Sequence, residues 1–487
     1  MTKKPNIFIF MTDQQRGDSL TNPLIEMPNV RSLMKSGVNF KNTHCPSPHC
    51  CPSRATFFTG KYPTEHGVWN NVCVQNALSD RLTPGIALFS ENLKEQGYRM
   101  GYSGKWHVSY ETGPEDHGFE EVYVTSNKRT KPDEATKHMS SGWEVYKKLA
   151  KTRDEDVDTP RKVGQIKRAG YPNYNHYGSK DNPFNDFDVV NAAIEKLNEI
   201  PEDGNPWLYY LGTLGPHDPY FVPQKFLDMY KDVDIELTDI HFDDLHDKPH
   251  LYQRTQKAFN QLSIEEKKDA IIHYMAFCTY EDYLFGLVLD QLKKRSDFDD
   301  TLILFTSDHG DYNGEHGLWC KGLPAFKGAY HIPAVISWKN GLKNPNRTID
   351  APVSLADFAP TFLALVNEDI STLTGQSLLP FIYDNKPETW REYSFTQTNG
   401  NEIYGIQRAV FNDKWKLVYN SFDYDELYNL EIDPDELVNL ATDDKYKDIK
   451  KSLYRELWSF AESVNDKCLN PYIMVGLAEF GPAYAYE

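Results

Sequence analysis

Short apolar runs alternate with helical periodicity along most of this chain. Asn6 to Met11, Tyr98 to Tyr102, Trp207 to Leu211, Thr301 to Phe305 and Ala334 to Trp338 are near-continuous apolar segments of strand length. Strands of that kind lack the in-and-out alternation of a half-exposed sheet and belong to parallel sheets covered on both faces. Helical patterns lie between them. Pro28 to Ser36 stops at Gly37, and Asp188 to Leu197 sets Val189, Val190, Ala193, Ile194 and Leu197 on one face. Ser263 with Glu266 forms a capping-box pattern that opens a long helix toward Arg295. This alternation predicts an α/β fold, a large and mostly parallel sheet sandwiched by helices, with functional residues on loops at the carboxyl ends of the strands.

Two regions depart from the pattern. From about Ser126 to Asn182 the sequence loosens and gathers Lys128, Arg129, Lys131, Lys147, Lys148, Lys151, Arg161, Lys162, Lys167 and Arg168. It reads as an insertion, either a solvated excursion or a basic wall near an anionic substrate. Near residue 385 the character changes again. Trp415 to Tyr419, the turn-rich Asp423 to Pro434, and an amphipathic stretch with Ile449, Leu453, Leu457, Phe460 and Val464 predict a smaller α+β domain over 385–487, following a catalytic domain over 1–384. The aromatic tail Pro471 to Tyr486 is expected to pack on the body of the protein or on another subunit of a homo-oligomer.

Composition narrows the function. The 487 residues carry a net charge of -19, from 52 basic and 71 acidic side chains. That field repels nucleic acid and anionic membrane alike, so neither is an expected partner, and an anionic substrate needs a locally positive pocket. No apolar run approaches the roughly 20 residues that cross a bilayer. The start MTKKPNIFIFMTD reads as a first strand rather than an export signal. Seven cysteines, an odd number without paired spacing, fit a reducing compartment, and a cytoplasmic location is expected.

The stretch Cys50-Cys51-Pro52-Ser53-Arg54-Ala55-Thr56-Phe57-Phe58-Thr59-Gly60 resembles the C-x-P-S-R-x4-T-G signature of type I sulfatases, members of the alkaline phosphatase superfamily. Taken alone, it could be a turn entering a helix with two buried cysteines. The resemblance implies that a maturation enzyme oxidises the first cysteine to formylglycine, an aldehyde whose hydrate supplies the nucleophilic oxygen. Only Cys50 has Pro and Arg at the required offsets; Cys51 fills the free position.

Further segments extend the likeness. Asp13 follows the strand in NIFIFMTDQQ and Asp308-His309 follows the strand in LILFTSDHGD, the positions of metal ligands in sulfatases. The pairs Asp13-Gln14 and Asp308-His309 look like the branch holding choline sulfatases and phosphonate monoester hydrolases. The implied metal set is Asp13, Gln14, Asp308, His309 and the oxygen at residue 50, holding Ca²⁺ first, with Mn²⁺ or Mg²⁺ as alternatives. Gly104-Lys105-Trp106-His107 resembles the G-K-W-H segment and Pro216-His217-Asp218-Pro219 the P-H-x-P loop, while Lys321 and Asn71 match a lysine and an asparagine that contact the transferred group. By this resemblance Lys105, Lys321 and Asn71 hold the sulfate, Arg54 orients the hydrate, His217 protonates the leaving oxygen and His107 removes a proton from residue 50. At Lys327 and His331 many members have Glu and Arg instead.

The expected activity is hydrolysis of an aryl, carbohydrate or small alkyl sulfate ester. A phosphonate monoester or phosphodiester hydrolase with the same machinery is the closest alternative, since tetrahedral phosphoryl and sulfuryl groups make similar demands. A non-catalytic binder has no use for a maturation motif, and a zinc or redox module on Cys45, Cys50 and Cys51 lacks a second C-x-x-C pair.

Overall fold

The computed structural model describes residues 4–72, 77–126, 147, 160–168, 173–385, 387, 389–401, 403–469 and 478–486. The apolar runs form the centre of an eight-stranded sheet. In chain order its strands are β1 Asn6–Thr12, β2 Val38–Phe40, β3 Arg99–Lys105, β4 Glu120–Ser126, β5 Trp207–Gly212, β6 Thr301–Ser307, β7 Ala334–Ser337 and β8 Arg347–Ile349. Across the sheet the order is β8-β2-β7-β6-β1-β5-β3-β4. All neighbours run parallel except where β7 meets β6 and β2. The fold is therefore the mostly parallel α/β sandwich that the apolar runs predict.

Burial on both faces explains those runs. Ile7, Ile9 and Met11 of β1 pack into one core with Phe57, Phe58 and Phe362, while Phe8 and Phe10 point into a second core with Val189, Ala193, Leu284 and Phe285. Helices cover each side: α1 Pro28–Ser36, α2 Cys50–Thr59, α3 Asp186–Glu199 and α4 Ile264–Leu292. Helix α4 begins where its capping box predicts, with Ser263 Oγ accepting from Glu266 N at 3.2 Å and Glu266 Oε2 accepting from Ser263 N at 2.8 Å. Every residue of α2 is buried, which is why it shows no amphipathic stripe.

The carboxy-terminal region adds a four-stranded antiparallel sheet of β9 Ser394–Gly400, β10 Tyr404–Phe411, β11 Trp415–Asn420 and β12 Glu426–Asn429. Helix α5, Lys447–Ser463, lays Leu453, Leu457, Trp458 and Ala461 against Val410, Leu417, Tyr419 and Leu427. Of the aromatic tail, residues 478–486 are described and fold back on this helix, where Trp458 Nε1 donates to the Phe480 carbonyl at 2.7 Å.

Of the lysines and arginines named in the loose basic segment, Lys128, Arg129, Lys131, Lys148 and Lys151 lie outside the described residues. Its described part is clamped to the protein. Arg161 makes two 2.6 Å bonds to Glu266 at the start of α4, and Gly164 N donates to the same carboxylate at 2.8 Å. Short strands Tyr174–Asn175 and Tyr177–Ser179 then bring the chain beside Tyr220. No helix among the described residues is long and apolar enough to cross a membrane, and none of the described cysteines forms a disulfide.

Candidate active site

Chemistry gathers where β1 and β6 end side by side. Their register pairs Thr12 with Ser307, so the next residues, Asp13 and Asp308, leave the sheet together. The N-terminus of α2 faces them, with Cys50 as its first residue. Cys50 Sγ lies 3.2 Å from His309 Nε2 and 3.8 Å from Asp13 Oδ1. His309 Nε2 is 3.4 Å from Asp13 Oδ1 and 3.7 Å from Asp308 Oδ1. The ligand atoms of Asp13, Cys50, Asp308 and His309 all fall within 4.8 Å of one another, and all four side chains are buried.

Two cations neutralise this group. Lys105, at the end of β3, places Nζ directly on Asp13 Oδ2. It is turned there by Gly104, whose φ of 97° and contact with Gly212 exclude a side chain: a Cβ would lie 1.8 Å from the Gly212 oxygen. Arg54, fully buried one turn into α2, donates Nε to Asp308 Oδ2 at 2.7 Å and Nη1 to the Lys105 carbonyl at 2.9 Å and the Tyr210 hydroxyl at 3.0 Å. Its Nη2 has no hydrogen-bond partner among the described residues and lies 3.8 Å from Asp13 Oδ2.

The charges govern ionisation. Burial and the neighbouring Cys50 push the Asp13 carboxyl up, but Lys105, His217 and His309 outweigh them and bring it to about 2. Burial likewise opposes ionisation of Cys50, and Lys105, Lys321, His309 and a hydrogen bond from His107 reverse the effect, holding this thiol well below the range of a free cysteine. Cys51 has a different setting. Its Sγ accepts from Val72 N at 3.3 Å, and its backbone N donates to Asn71 Oδ1 at 3.2 Å, within an apolar core.

A second group stands beside the first. Lys321 Nζ donates to Gln14 Oε1 at 2.6 Å and contacts His217 Nε2. Gln14 Nε2 donates to Asp218 Oδ1 at 3.1 Å and Asp311 Oδ2 at 2.5 Å. The sequence-derived residues Asp13, Cys50, Arg54, Lys105, His107, His217, Asp308, His309 and Lys321 thus share one region. Gln14 joins them through the Lys321 group, its amide engaged by three side chains. Asn71 supports the start of α2, and its own N donates to Asn401 Oδ1 at 3.0 Å.

Sequence reasoning missed the residues beneath His217. Asp186, the first residue of α3, accepts from Leu214 N at 2.9 Å and Gly215 N at 2.8 Å. Glu281 of α4 lies under the same turn, where a Cβ on Gly215 would meet its Oε1 at 2.1 Å. Gly215 in turn accepts from Asp13 N at 3.1 Å. The available signal for Asp186 was only an acidic residue opening a helix, and a charged residue inside the apolar face of α4 was the signal for Glu281.

Comparison with known proteins adds a family. Residues 5–368 match the family profile described as Sulfatase, and residues 314–463 match one described as N-sulphoglucosamine sulphohydrolase, C-terminal. A choline-sulfatase of Rhizobium meliloti (strain 1021) is 29% identical over 461 residues, covering 90% of this chain and 83% of that protein. Among solved structures, a phosphonate monoester hydrolase of Agrobacterium radiobacter superposes with a TM-score of 0.76 at 23% identity, covering 96% of this chain and 97% of that one. Another, solved in complex with its substrate D-glucosamine-2-N,6-O-disulfate, superposes with a TM-score of 0.73 at 19% identity, covering 96% and 99%. At these identities the structural likenesses speak for the fold.

The carboxyls beneath His217 give a pH signature. Burial, despite the two backbone N–H donors, raises Asp186 to about 7, and burial together with the nearby Asp186 raises Glu281 well above its ordinary value. A carboxyl raised on folding binds its proton more tightly in the native state, so its contribution to stability falls as pH climbs from about 4, the unfolded value, through the folded one. Glu281→Gln should therefore be more stable than wild type at neutral pH, with the difference vanishing near pH 4. Urea unfolding at several pH values measures it; a difference independent of pH would contradict the buried acid pair.

Proposed function

The chain belongs to the sulfatase family and is a sulfuric ester hydrolase; on that premise we propose that it cleaves an aryl, carbohydrate or small alkyl sulfate using residue 50, matured to formylglycine, and a divalent cation. The observation that carries this reading is the meeting of the Cys50 thiol with two carboxylates and an imidazole at the one cysteine that fits the maturation motif. The residues suit both groups. Asp13 and Asp308 offer hard carboxylate oxygens and His309 a borderline imidazole nitrogen, and Arg54 Nη2, a buried donor without a hydrogen-bond partner among the described residues, lies 3.8 Å from Asp13 Oδ2. The Cys50 sulfur stands in for the oxygen of the matured residue. When present, formylglycine would supply the nucleophilic oxygen, and a cation held by Asp13, Asp308 and His309 would act as a Lewis acid.

The chain's own residues supply the remainder. Lys105 sets a positive charge beside the nucleophile. Lys321 keeps its proton, because Cys50, Asp218 and Asp13 outweigh its burial, and so presents a second charge to the equatorial oxygens. Asn71 borders residue 50 at the start of α2, its Oδ1 accepting from Cys51 N, and we assign its amide to the substrate anion. Proton delivery to the leaving oxygen falls to His217 in contact with Lys321, an assistance worth ~10²–10⁴-fold. His107, hydrogen-bonded to Cys50, is placed to take a proton from residue 50. Gln14, with its carbonyl on Lys321, is the neutral member of the proposed donor set.

The substrate is a sulfate ester of a small molecule or saccharide, and the required partner is a formylglycine-generating enzyme. A cytoplasmic setting fits the free cysteines. A second reading, phosphonate monoester or phosphodiester hydrolysis, is favoured by the Asp13-Gln14 and Asp308-His309 pairs. A phosphonate monoester turned over faster than every sulfate ester would establish it.

Co-expression with a formylglycine-generating enzyme should convert Cys50, and not Cys51, to the aldehyde, read by peptide mass spectrometry with an aldehyde-reactive probe. Cys50→Ala should then abolish turnover, while Cys51→Ser retains most of it. Full activity without modification at position 50 would sink the nucleophile.

Chelation should remove activity and added Ca²⁺ restore it, with Mn²⁺ or Mg²⁺ as weaker substitutes. Asp308→Ala should lower metal content measured by elemental analysis more than Gln14→Ala, since it removes a charged donor. An enzyme fully active with no metal bound would exclude the Lewis acid.

A further inference from the structure

His217 is held from behind. Its Nδ1 lies 2.5 Å from the backbone oxygen of Asp218 and 3.4 Å from Asp218 Oδ1. Both neighbours are acceptors, so Nδ1 carries the hydrogen and Nε2 is left facing Lys321. Asp218 does not drift, because two donors fix its carboxylate: Gln14 Nε2 on Oδ1 at 3.1 Å and the Tyr174 hydroxyl on Oδ2. The amide of Gln14 has only one workable orientation, since Lys321 can only donate and the carboxylates of Asp218 and Asp311 accept. A carboxylate at position 14 would instead face two others with no hydrogen to share. Asp311 closes the group, accepting from the Tyr220 hydroxyl at 2.7 Å and Asn313 N at 2.7 Å.

Tyr174 comes from the segment that looked like an insertion, on a short strand more than forty positions from Asp218 by the chain. Its body is half-buried, and its ring packs near His176, which in turn meets Tyr220 and Trp319. The phenol is therefore anchored at its base and aimed at the carboxylate.

We propose that Asp218 is a positioning residue for proton delivery and that Tyr174 sets its place: the line Tyr174–Asp218–His217 holds the Nδ1 hydrogen on Asp218 and leaves Nε2 to take a proton from the Lys321 ammonium it touches and pass it to the leaving oxygen, Lys321 being left neutral. The inference rests on the reading of His217 as proton donor. It assigns part of the inserted segment to the chemistry of the ester's leaving group instead of to binding of its sulfate. A phenolate with a low pKa departs without a proton, whereas an alkoxide needs one, so a misdirected imidazole harms the two classes unequally.

The test uses matured, Ca²⁺-loaded enzyme with 4-nitrophenyl sulfate and a primary alkyl sulfate. Asp218→Asn should lower kcat on the alkyl ester by about tenfold or more, a part of the general-acid contribution, with KM little changed and the aryl ester nearly unaffected. Tyr174→Phe removes one oxygen from a half-buried ring and should show the same selectivity, more weakly. Equal losses on both esters, a rise in KM alone, or no loss in either variant would overturn the proposal. Wild-type turnover of the two esters is the separate control: if neither is cleaved, the sulfatase reading fails, whereas an active wild type with unselective variants defeats only the role of Asp218.

Discussion

Two carboxylates leave adjacent parallel strands at the same level, and both are turned into the protein. Asp13 and Asp308 are fully buried, and unit charges about 4 Å apart repel by roughly 4 kcal/mol even at an effective dielectric constant of 20. The site exists because cations from elsewhere in the chain are fixed against them. Arg54 reaches Asp308 from the first turns of α2, and Lys105 reaches Asp13 from the end of β3. Those two contacts determine much else. The first fixes the helix that begins with Cys50, and the second requires the glycine that turns the strand end.

The same economy of position governs the proton donors. The turn carrying His217 is tied below to Asp186, beside β1 through Gly215 and Asp13, and behind to Asp218. Helices α3 and α4 and strands β1 and β5 therefore converge on the turn that carries this imidazole. This is a rigid way of presenting a group whose value depends on direction, because hydrogen bonds to the developing charge of a transition state weaken steeply when misaligned. The nucleophile and the proton donors occupy one region but are held by different scaffolds, α2 for residue 50 and the turn after β5 for His217.

Much of this was legible in the sequence, and the reasons differ by element. The five apolar runs declared the central strands because a strand buried on both faces has no polar positions to interrupt it, as in β1 and β6. The capping box located the start of α4 to within a residue, though the helix ends at Leu292 and not at Arg295, while α3 begins at Asp186, two residues before the apolar periodicity does. Site residues that follow strands or sit in a compact motif could be named, since local order there carries spatial order. Tyr174, Asp186 and Glu281 could not. Each meets its partner only after a crossover, and Tyr174 lies in a stretch whose loose polarity resembles any surface loop. Gln14 shows a subtler limit: its position was legible, but its amide is shared among Lys321, Asp218 and Asp311, none of them near it in sequence.

The burial of Cys50 has a consequence in time. Its thiol is 1% exposed and is covered in part by His309, which stands 259 positions later in the chain. At synthesis rates of 5–20 residues per second, roughly 13–50 s separate the appearance of these two residues at the ribosome. Before β6 docks, Arg54 lacks its 2.7 Å partner Asp308 and the thiol lacks the cover of His309. The length of chain between the motif and its last neighbour thus works as a clock, and the interval it measures is a property of the order in which the residues are written.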